Sequence, residues 1–354
     1  MSILADAGTL STFIASIFVA AGSDDDEARQ IAEHLVGANL TGHDSHGVGM
    51  VPTYLQHRRE GLVHPNRRPE RVGGVDPFAV FDARMGYGQP AVNAVMVQAA
   101  DIARRCGVAL VTLRNAQHVG RIGAYGESLS AKGLLSMHFV NVARGVPTVA
   151  PYRGTDARVM TNPICIAIPG PTPVLLDFAT SSIAMGKTRV AFNKGELLPP
   201  GLVIDHDGRP SRDPGVLWRD PLGALLPFGE HKGWGLACVA ELLGGVLAGG
   251  PSCSETPGQS LGLVNGMFSI VVEPQRLTDL DAFHERVARV AAYVKASPPA
   301  EPGLPVLVPG EPERESSRAR ERDGIPIDDR TWQQICEGAA GLGLPSPAFP
   351  VIAD

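Results

Sequence analysis

Gly86-Tyr87-Gly88-Gln89-Pro90-Ala91, leading into the apolar run 92–106, is the stretch that decides between two kinds of α/β fold. Glycines at this spacing between a strand and a helix mark the turn where a doubly wound fold holds a diphosphate, and an acidic residue closing the next strand takes the ribose. The run fits the looser GxGxxA form and opens a helix. The strand that follows, 108–113, closes instead on Arg114 and Asn115, and no acidic residue stands near position 111. The doubly wound reading is therefore set aside. Phosphate can still be held at other glycine-marked helix starts, through exposed N–H groups and the helix dipole, and two remain: Gly120-Arg121-Ile122-Gly123 and Gly233-Trp234-Gly235.

Outward from this stretch the pattern is helical on one side and mixed on the other. Residues from about 9 to 60 carry Leu10, Phe13, Ile14, Ile17 and Phe18 at helical spacing, and a further helix opens at Ser23 with Asp24, Asp25 and Asp26 in its first turn, so two or three helices begin the chain. Strands are predicted at 108–113, 134–141, 165–169, 174–178 and 267–272. Helices are predicted at 92–106, 123–132, 232–247 (buried), 280–295 and 331–340. Between 193 and 230, Pro199-Pro200-Gly201, Asp207-Gly208, Asp213-Pro214 and Asp220-Pro221 punctuate a long irregular loop with short hairpins. The segment 298–322, rich in proline and charge, reads as an extended arm.

Composition narrows the function classes. The 354 residues exceed one ordinary domain, and 44% apolar with 19% charged residues is ordinary globular usage. With 31 basic against 37 acidic side chains, no global positive field draws in nucleic acid. The five cysteines, Cys106, Cys165, Cys238, Cys253 and Cys336, form no CxxC pair and suit a reducing compartment. The apolar stretch 13–21 follows Asp6 in place of a basic segment, which argues against a signal peptide. No run approaches the roughly 20 apolar residues of a membrane-spanning helix. A soluble, cytoplasmic protein without nucleic-acid or membrane partners is expected.

Gly42-His43-Asp44-Ser45-His46-Gly47 is the densest polar cluster. Two histidines, a carboxylate and a hydroxyl between glycines suit a site, and equally a solvated loop. His43 and His46 have an HxxH spacing but no second cluster supplies metal ligands, so no metal is expected. A Ser-His-Asp hydrolase lacks the GxSxG elbow around Ser45. His118 and Arg121 fall at a strand-to-helix turn, where open sheets meet ligands, although an isolated histidine there is more often a surface residue. Thr161-Asn162-Pro163 and Asp177-Phe178-Ala179-Thr180-Ser181 sit at strand ends, and Lys187 and Arg189 supply positive charge after them. Lys232, at a helix start, opposes the dipole and so points to an anionic ligand.

These pieces, GHDSHGVGM at 42–50, HVGRIG at 118–123, TNP at 161–163, DFATSSIAMGKTR at 177–189, FGEHKGWGL at 228–236 and LVPGEPE at 307–313, resemble the type-2 malate/L-lactate dehydrogenase family. The resemblance implies an α/β fold with a non-Rossmann cofactor domain over 76–275, built on a largely antiparallel seven-stranded sheet. It also implies a helical module from both chain ends, 1–75 with 276–354. It implies a homodimer that transfers hydride between NAD, or NADP, and a 2-hydroxy acid/2-oxo acid pair. His46 falls on the proton donor and nicotinamide neighbour, with Ser45 beside it, and His118 on an alternative proton acceptor. Cofactor contacts fall on Gly120, Arg121, Ile122, Asp177, Phe178, Ala179, Thr180, Lys232, Asn265, Pro309, Gly310 and Glu311. Met50 replaces an arginine that grips the substrate carboxylate in many members, which leaves Arg121, Lys187 and Arg189 as candidate cations. Ketimine-reducing members carry an aspartate where this chain has Lys187, which argues against imine reduction; reduction of cyclic imines stays as the alternative, and a metal-dependent hydrolase as a more distant one.

Overall fold

The computed structural model describes residues 2–255 and 262–352. The chain opens with β1 (Ser2–Ala5), α1 (Ala7–Ala20), α2 (Asp25–Leu40) and α3 (Val51–Arg59). Aspartates start the first two helices: Asp6 accepts from Thr9 N at 2.8 Å and Asp24 from Glu27 N at 2.7 Å. Leu10, Phe13, Ile14, Ile17 and Phe18 line the buried face of α1, as their spacing predicts. Next come β2 (Glu70–Gly73), β3 (Phe78–Asp82), α4 (Gly88–Cys106), β4 (Val108–Gln117), α5 (Gly123–Ser130), β5 (Leu135–Ala143), β6 (Ile164–Ile168), β7 (Val174–Phe178) and α6 (Met185–Lys194). The remainder is β8 (Val203–Ile204), β9 (Pro210–Ser211), β10 (Ala224–Leu225), α7 (His231–Ala240), β11 (Val264–Val272), α8 (Leu280–Lys295), α9 (Glu311–Asp323), β12 (Ile325–Asp328), α10 (Asp329–Ala340) and β13 (Val351–Ile352).

The central sheet has seven strands in the order β2-β3-β4-β11-β5-β6-β7. β3 and β4 are parallel, because α4 carries the chain across between them, while β2–β3, β4–β11, β11–β5, β5–β6 and β6–β7 are antiparallel. The sheet is thus mixed, which corrects the expectation of a largely antiparallel one. One core fills the space between this sheet and helices α4 and α5, with Phe81, Val92, Val111, Ile122 and Tyr125. A second joins Leu10, Phe18, Ile31 and Tyr54 near the N-terminus to Ile325 and Ile335 near the C-terminus. Both chain ends also meet in a small sheet, β12-β1-β13.

Register defines one end of the central sheet. Val264, at the start of β11, pairs with both Gln117 and Ala143, the last residues of β4 and β5; Ile164, at the start of β6, pairs with Phe178, the last residue of β7. Whatever follows β4, β5 and β7 therefore emerges together.

Three expectations need correction. The arm ends at Pro309, and residues 311–323 form α9, because charged residues without an apolar stripe still make a helix when a neighbouring surface receives them: Arg320 and Ser316 bond to carbonyls at the end of α2. The stretch 193–230 carries the expected short hairpin, β8 with β9 around the turn at Gly208, but more order than a long irregular loop: α6 runs into it and β10 completes a three-stranded sheet. The helix expected as buried over 232–247 widens to π geometry at Glu241 and leaves Val239, Leu242, Val246 and Leu247 exposed. No helix among the described residues is long and apolar enough to cross a membrane.

Candidate active site

Residues 44–46 form a single tight turn after α2, held because Asn39 receives Val48 N and donates to Asp44. Asp44 turns away to a two-pronged pair with Arg320 on α9, so it does not orient His46. Ser45 does: its Oγ lies 3.0 Å from His46 Nδ1. A Cβ on Gly186, at the start of α6, would sit 2.6 Å from Ser45 Cβ, so glycine lets α6 close onto this turn. His43 faces Glu313 at 3.4 Å, and the two histidines of the HxxH spacing have different partners.

His118, in the turn after β4, stacks on His46 with ring centroids 5.6 Å apart and planes within 17°. Its Nδ1 lies 2.7 Å from the Tyr54 hydroxyl, which accepts from Gln89 Nε2 at 2.7 Å. Desolvation pushes His46 down to about 4, with the charges of His43 and Arg121 adding to it. Desolvation also pushes His118 well below its ordinary value, helped by His46, His34 and His57. Both rings are neutral near pH 7 in the free protein.

The turn carrying His118 is fixed from two sides. Asn265 on β11, 1% exposed, accepts from Val119 N at 2.9 Å and donates to Asn141 O at 2.8 Å. Gly120 has φ +71°, and a Cβ there would lie 2.4 Å from His34 Nε2. Gly88 explains the GxGxxA likeness: its Cβ would fall 2.2 Å from the Gln117 carbonyl, so glycine serves the crossing of two backbones and not a phosphate.

Arg121 lies close to Asp177. It is 3% exposed, holds Glu127 at 2.8 and 2.9 Å and approaches Asp177 at 3.7 Å. Its charge is answered within the chain by Glu127 and Asp177. Asp177 accepts from Gly123 N at 2.8 Å, so the start of α5 is filled by a carboxylate and does not offer a free cradle for a diphosphate. Desolvation raises Asp177 above the usual carboxylate range, with Arg121 opposing it. Ile122 belongs to the sheet core. At the end of β7, Phe178 meets Phe228 edge-on with centroids 5.4 Å apart; beyond it Ala179 is half-buried and Thr180 O accepts from Phe228 N at 3.1 Å. These contacts bring the start of α7 to the same sheet end. There Lys232 is exposed, α7 lacks a side-chain cap, and Lys232 has no ion pair among the described residues.

The start of α9 lies along β7. Pro309 O accepts from Leu175 N at 3.1 Å, Gly310 takes φ +92° against Leu175, and Glu311 pairs with Lys295 and accepts from Val308 N. Of the other candidate cations, Arg189 stacks on Trp218 at 4.8 Å, whereas Lys187 is exposed on the first turn of α6, next to the residue that abuts Ser45. Met50 packs against the helical core.

Sequence reasoning missed Tyr54, Gln89, His34 and Glu313, whose contacts to the site join distant segments. It also passed over Arg144, which follows β5 at the same sheet end, takes φ +61° and has no ion pair among the described residues. A non-glycine residue in that conformation at a site is a signal the sequence alone does not carry. Among the described residues, no group of three His, Cys, Asp or Glu is placed to hold a metal ion.

The malate/L-lactate dehydrogenase family model matches residues 5–336. The chain is 42% identical to hydroxycarboxylate dehydrogenase B of Escherichia coli, over 96% of this chain and 94% of that one. It is 38% identical to an L-lactate dehydrogenase of Cupriavidus necator, over 91% and 93%. The solved sulfolactate dehydrogenase of Methanocaldococcus jannaschii superposes with a TM-score of 0.87 at 31% identity, covering 97% of this chain and 98% of that one.

Proposed function

Because the chain belongs to the malate/L-lactate dehydrogenase family, we propose that it interconverts 2-hydroxy acids and 2-oxo acids with a nicotinamide cofactor, His46 moving the proton. The observation that carries this reading is the stacked pair of His46 and His118 at the sheet end, with Ser45 bonded to His46. When bound, the nicotinamide supplies hydride to C2 of the oxo acid or takes it back. In the reductive direction His46 gives its proton to the oxygen that becomes the hydroxyl; in the oxidative direction the neutral ring removes it. Ser45 fixes the ring through Nδ1. An anionic substrate beside His46 favours its protonated form, opposing the desolvation that lowers it in the free protein. His118 donates to the same oxygen as charge grows there.

The residues present fit a dinucleotide at the start of α7, where Lys232 is an exposed cation with no ion pair among the described residues, better than at the start of α5, where Asp177 stands in place of an anion. The strand order and the role of Gly88 support a cofactor domain of non-Rossmann type over 76–275, and the two cores support a helical module of 1–75 with 276–354. NAD is the expected cofactor, with NADP as the other form. Lys187 and Arg144 are the cations for the substrate carboxylate, and Met50 leaves room for apolar substrate side chains. The exposed apolar row Val239, Leu242, Val246 and Leu247 supports a homodimer that covers it, and the free cysteines support a cytoplasmic location.

Absorbance of NADH and NADPH followed against a panel of 2-oxo acids and cyclic imines, with and without chelator, tests the reading. Turnover of 2-oxo acids, indifferent to chelator, is expected; turnover of imines alone would replace it with ketimine reduction.

A further inference from the structure

The hydrogen-bond chain beneath His118 has a direction. Gln89, fully buried at the start of α4, donates from Nε2 to the Tyr54 oxygen, and that hydroxyl sits 2.7 Å from His118 Nδ1. The Tyr54 oxygen already receives the amide proton, and the hydroxyl has no third hydrogen-bond partner among the described residues. Its own proton therefore has one acceptor, Nδ1, and the ring carries its hydrogen on Nε2.

We propose that Gln89 and Tyr54 are positioning residues that hold His118 as the neutral Nε2–H tautomer, so that it donates a hydrogen bond to the reacting oxygen while His46 alone exchanges a proton. The proposal rests on the reading of a 2-oxo acid site above. Protonating His118 at Nδ1 would turn the Tyr54 hydrogen out of its bond and require the buried Gln89 amide to rotate and present Oε1, which has no hydrogen-bond partner in the arrangement seen, in place of Nε2. The groups that act on His118 make charging still less favourable. His34 from α2, His57 from α3 and His46 from the facing turn are all bases that add positive charge when protonated, and no carboxylate is among them. Tyr54 is itself fully buried against Phe18 and Tyr87, so the relay does not swing away. His46 differs at its Nδ1, whose partner is a serine hydroxyl that can donate or accept as the ring changes state.

The test uses the whole chain labelled with ¹⁵N at histidine, without substrate. Long-range ¹H–¹⁵N correlation reads which ring nitrogen bears the proton, with His118→Gln identifying the resonance. The expected result is a protonated Nε2 and a bare Nδ1, unchanged from pH 8 to pH 5. Gln89→Glu places an acceptor where the amide donor was, so the Tyr54 proton turns toward it and His118 shifts to Nδ1–H; Tyr54→Phe removes the bias and leaves a mixture. Each variant lowers kcat by about tenfold, the scale of one lost hydrogen bond, at unchanged NADH affinity. Each also adds a second ionisation to the pH profile of kcat. A protonated Nδ1 in the parental protein overturns the proposal, as does Tyr54→Phe with parental His118 resonances and parental kcat. If the tautomer is as stated but no 2-oxo acid is turned over, the functional reading fails and the relay stands.

Discussion

Replacing Asn265 with leucine separates a clamp from a cofactor contact. The side chain is 1% exposed and makes two hydrogen bonds to backbone, from Val119 N and to Asn141 O. Leucine keeps the approximate volume and answers neither group. Each buried backbone group left without a partner costs about 1–3 kcal/mol, so the loss is about 2–6 kcal/mol before any relaxation. That is a large part of the ~5–15 kcal/mol by which folded domains are stable. Urea unfolding followed by tryptophan fluorescence and by circular dichroism measures it, with coincidence of the two transitions checking that one free energy describes both. Because the Val119 peptide joins His118 to Gly120, kcat falls as well, while the folded fraction binds NADH with parental affinity. A parental urea midpoint would refute the clamp, and a large loss of NADH affinity at parental stability would return Asn265 to the cofactor.

Lys232→Ala weakens dinucleotide binding by about 1.5–3 kcal/mol, the range for a hydrogen bond to a charged group, and calorimetry on the folded variant checks it. Lys187→Met and Arg144→Met raise KM for the 2-oxo acid at little change in NADH affinity; a parental KM in both leaves the carboxylate without its assigned cations. His34 and His138 are held neutral by desolvation down to about 3, so their contribution to stability is complete above pH 6.5 and is lost as pH falls toward their folded values. Each contributes a slope of up to ~1.4 kcal/mol per pH unit in that window, and His138→Gln reduces the pH dependence of the unfolding free energy measured in urea by about that amount.

The parts of this molecule that could be read in advance are those whose signal is local. His46 and His118 stand in glycine-bracketed turns between apolar runs, and the structure stacks them. The capping aspartates and the buried row of α1 are equally local. The relay that holds His118 was hidden because its bonds join residues 35 and 64 positions apart, and Gln89 lay inside a run whose glycines suggested another use. Arg121 looked like a free cation because nothing in HVGRIG reveals that Glu127 and Asp177 fold back onto it. The apolar run 232–247 reads as buried because it lacks a polar face; composition cannot distinguish a helix covered by its own chain from one left exposed. The parallel β3–β4 pair is absent from the sequence reading because no strand is placed at Phe78–Asp82 there.

The most direct test of the central claim is kcat for 2-oxo acid reduction by His46→Asn, measured across pH 5 to 9 beside His118→Asn. Loss of a proton donor lowers kcat by about 10²–10⁴-fold, and the account predicts that loss for His46→Asn with NADH binding retained, against a smaller loss for His118→Asn. Near-parental kcat and an unchanged pH profile in folded His46→Asn would contradict it.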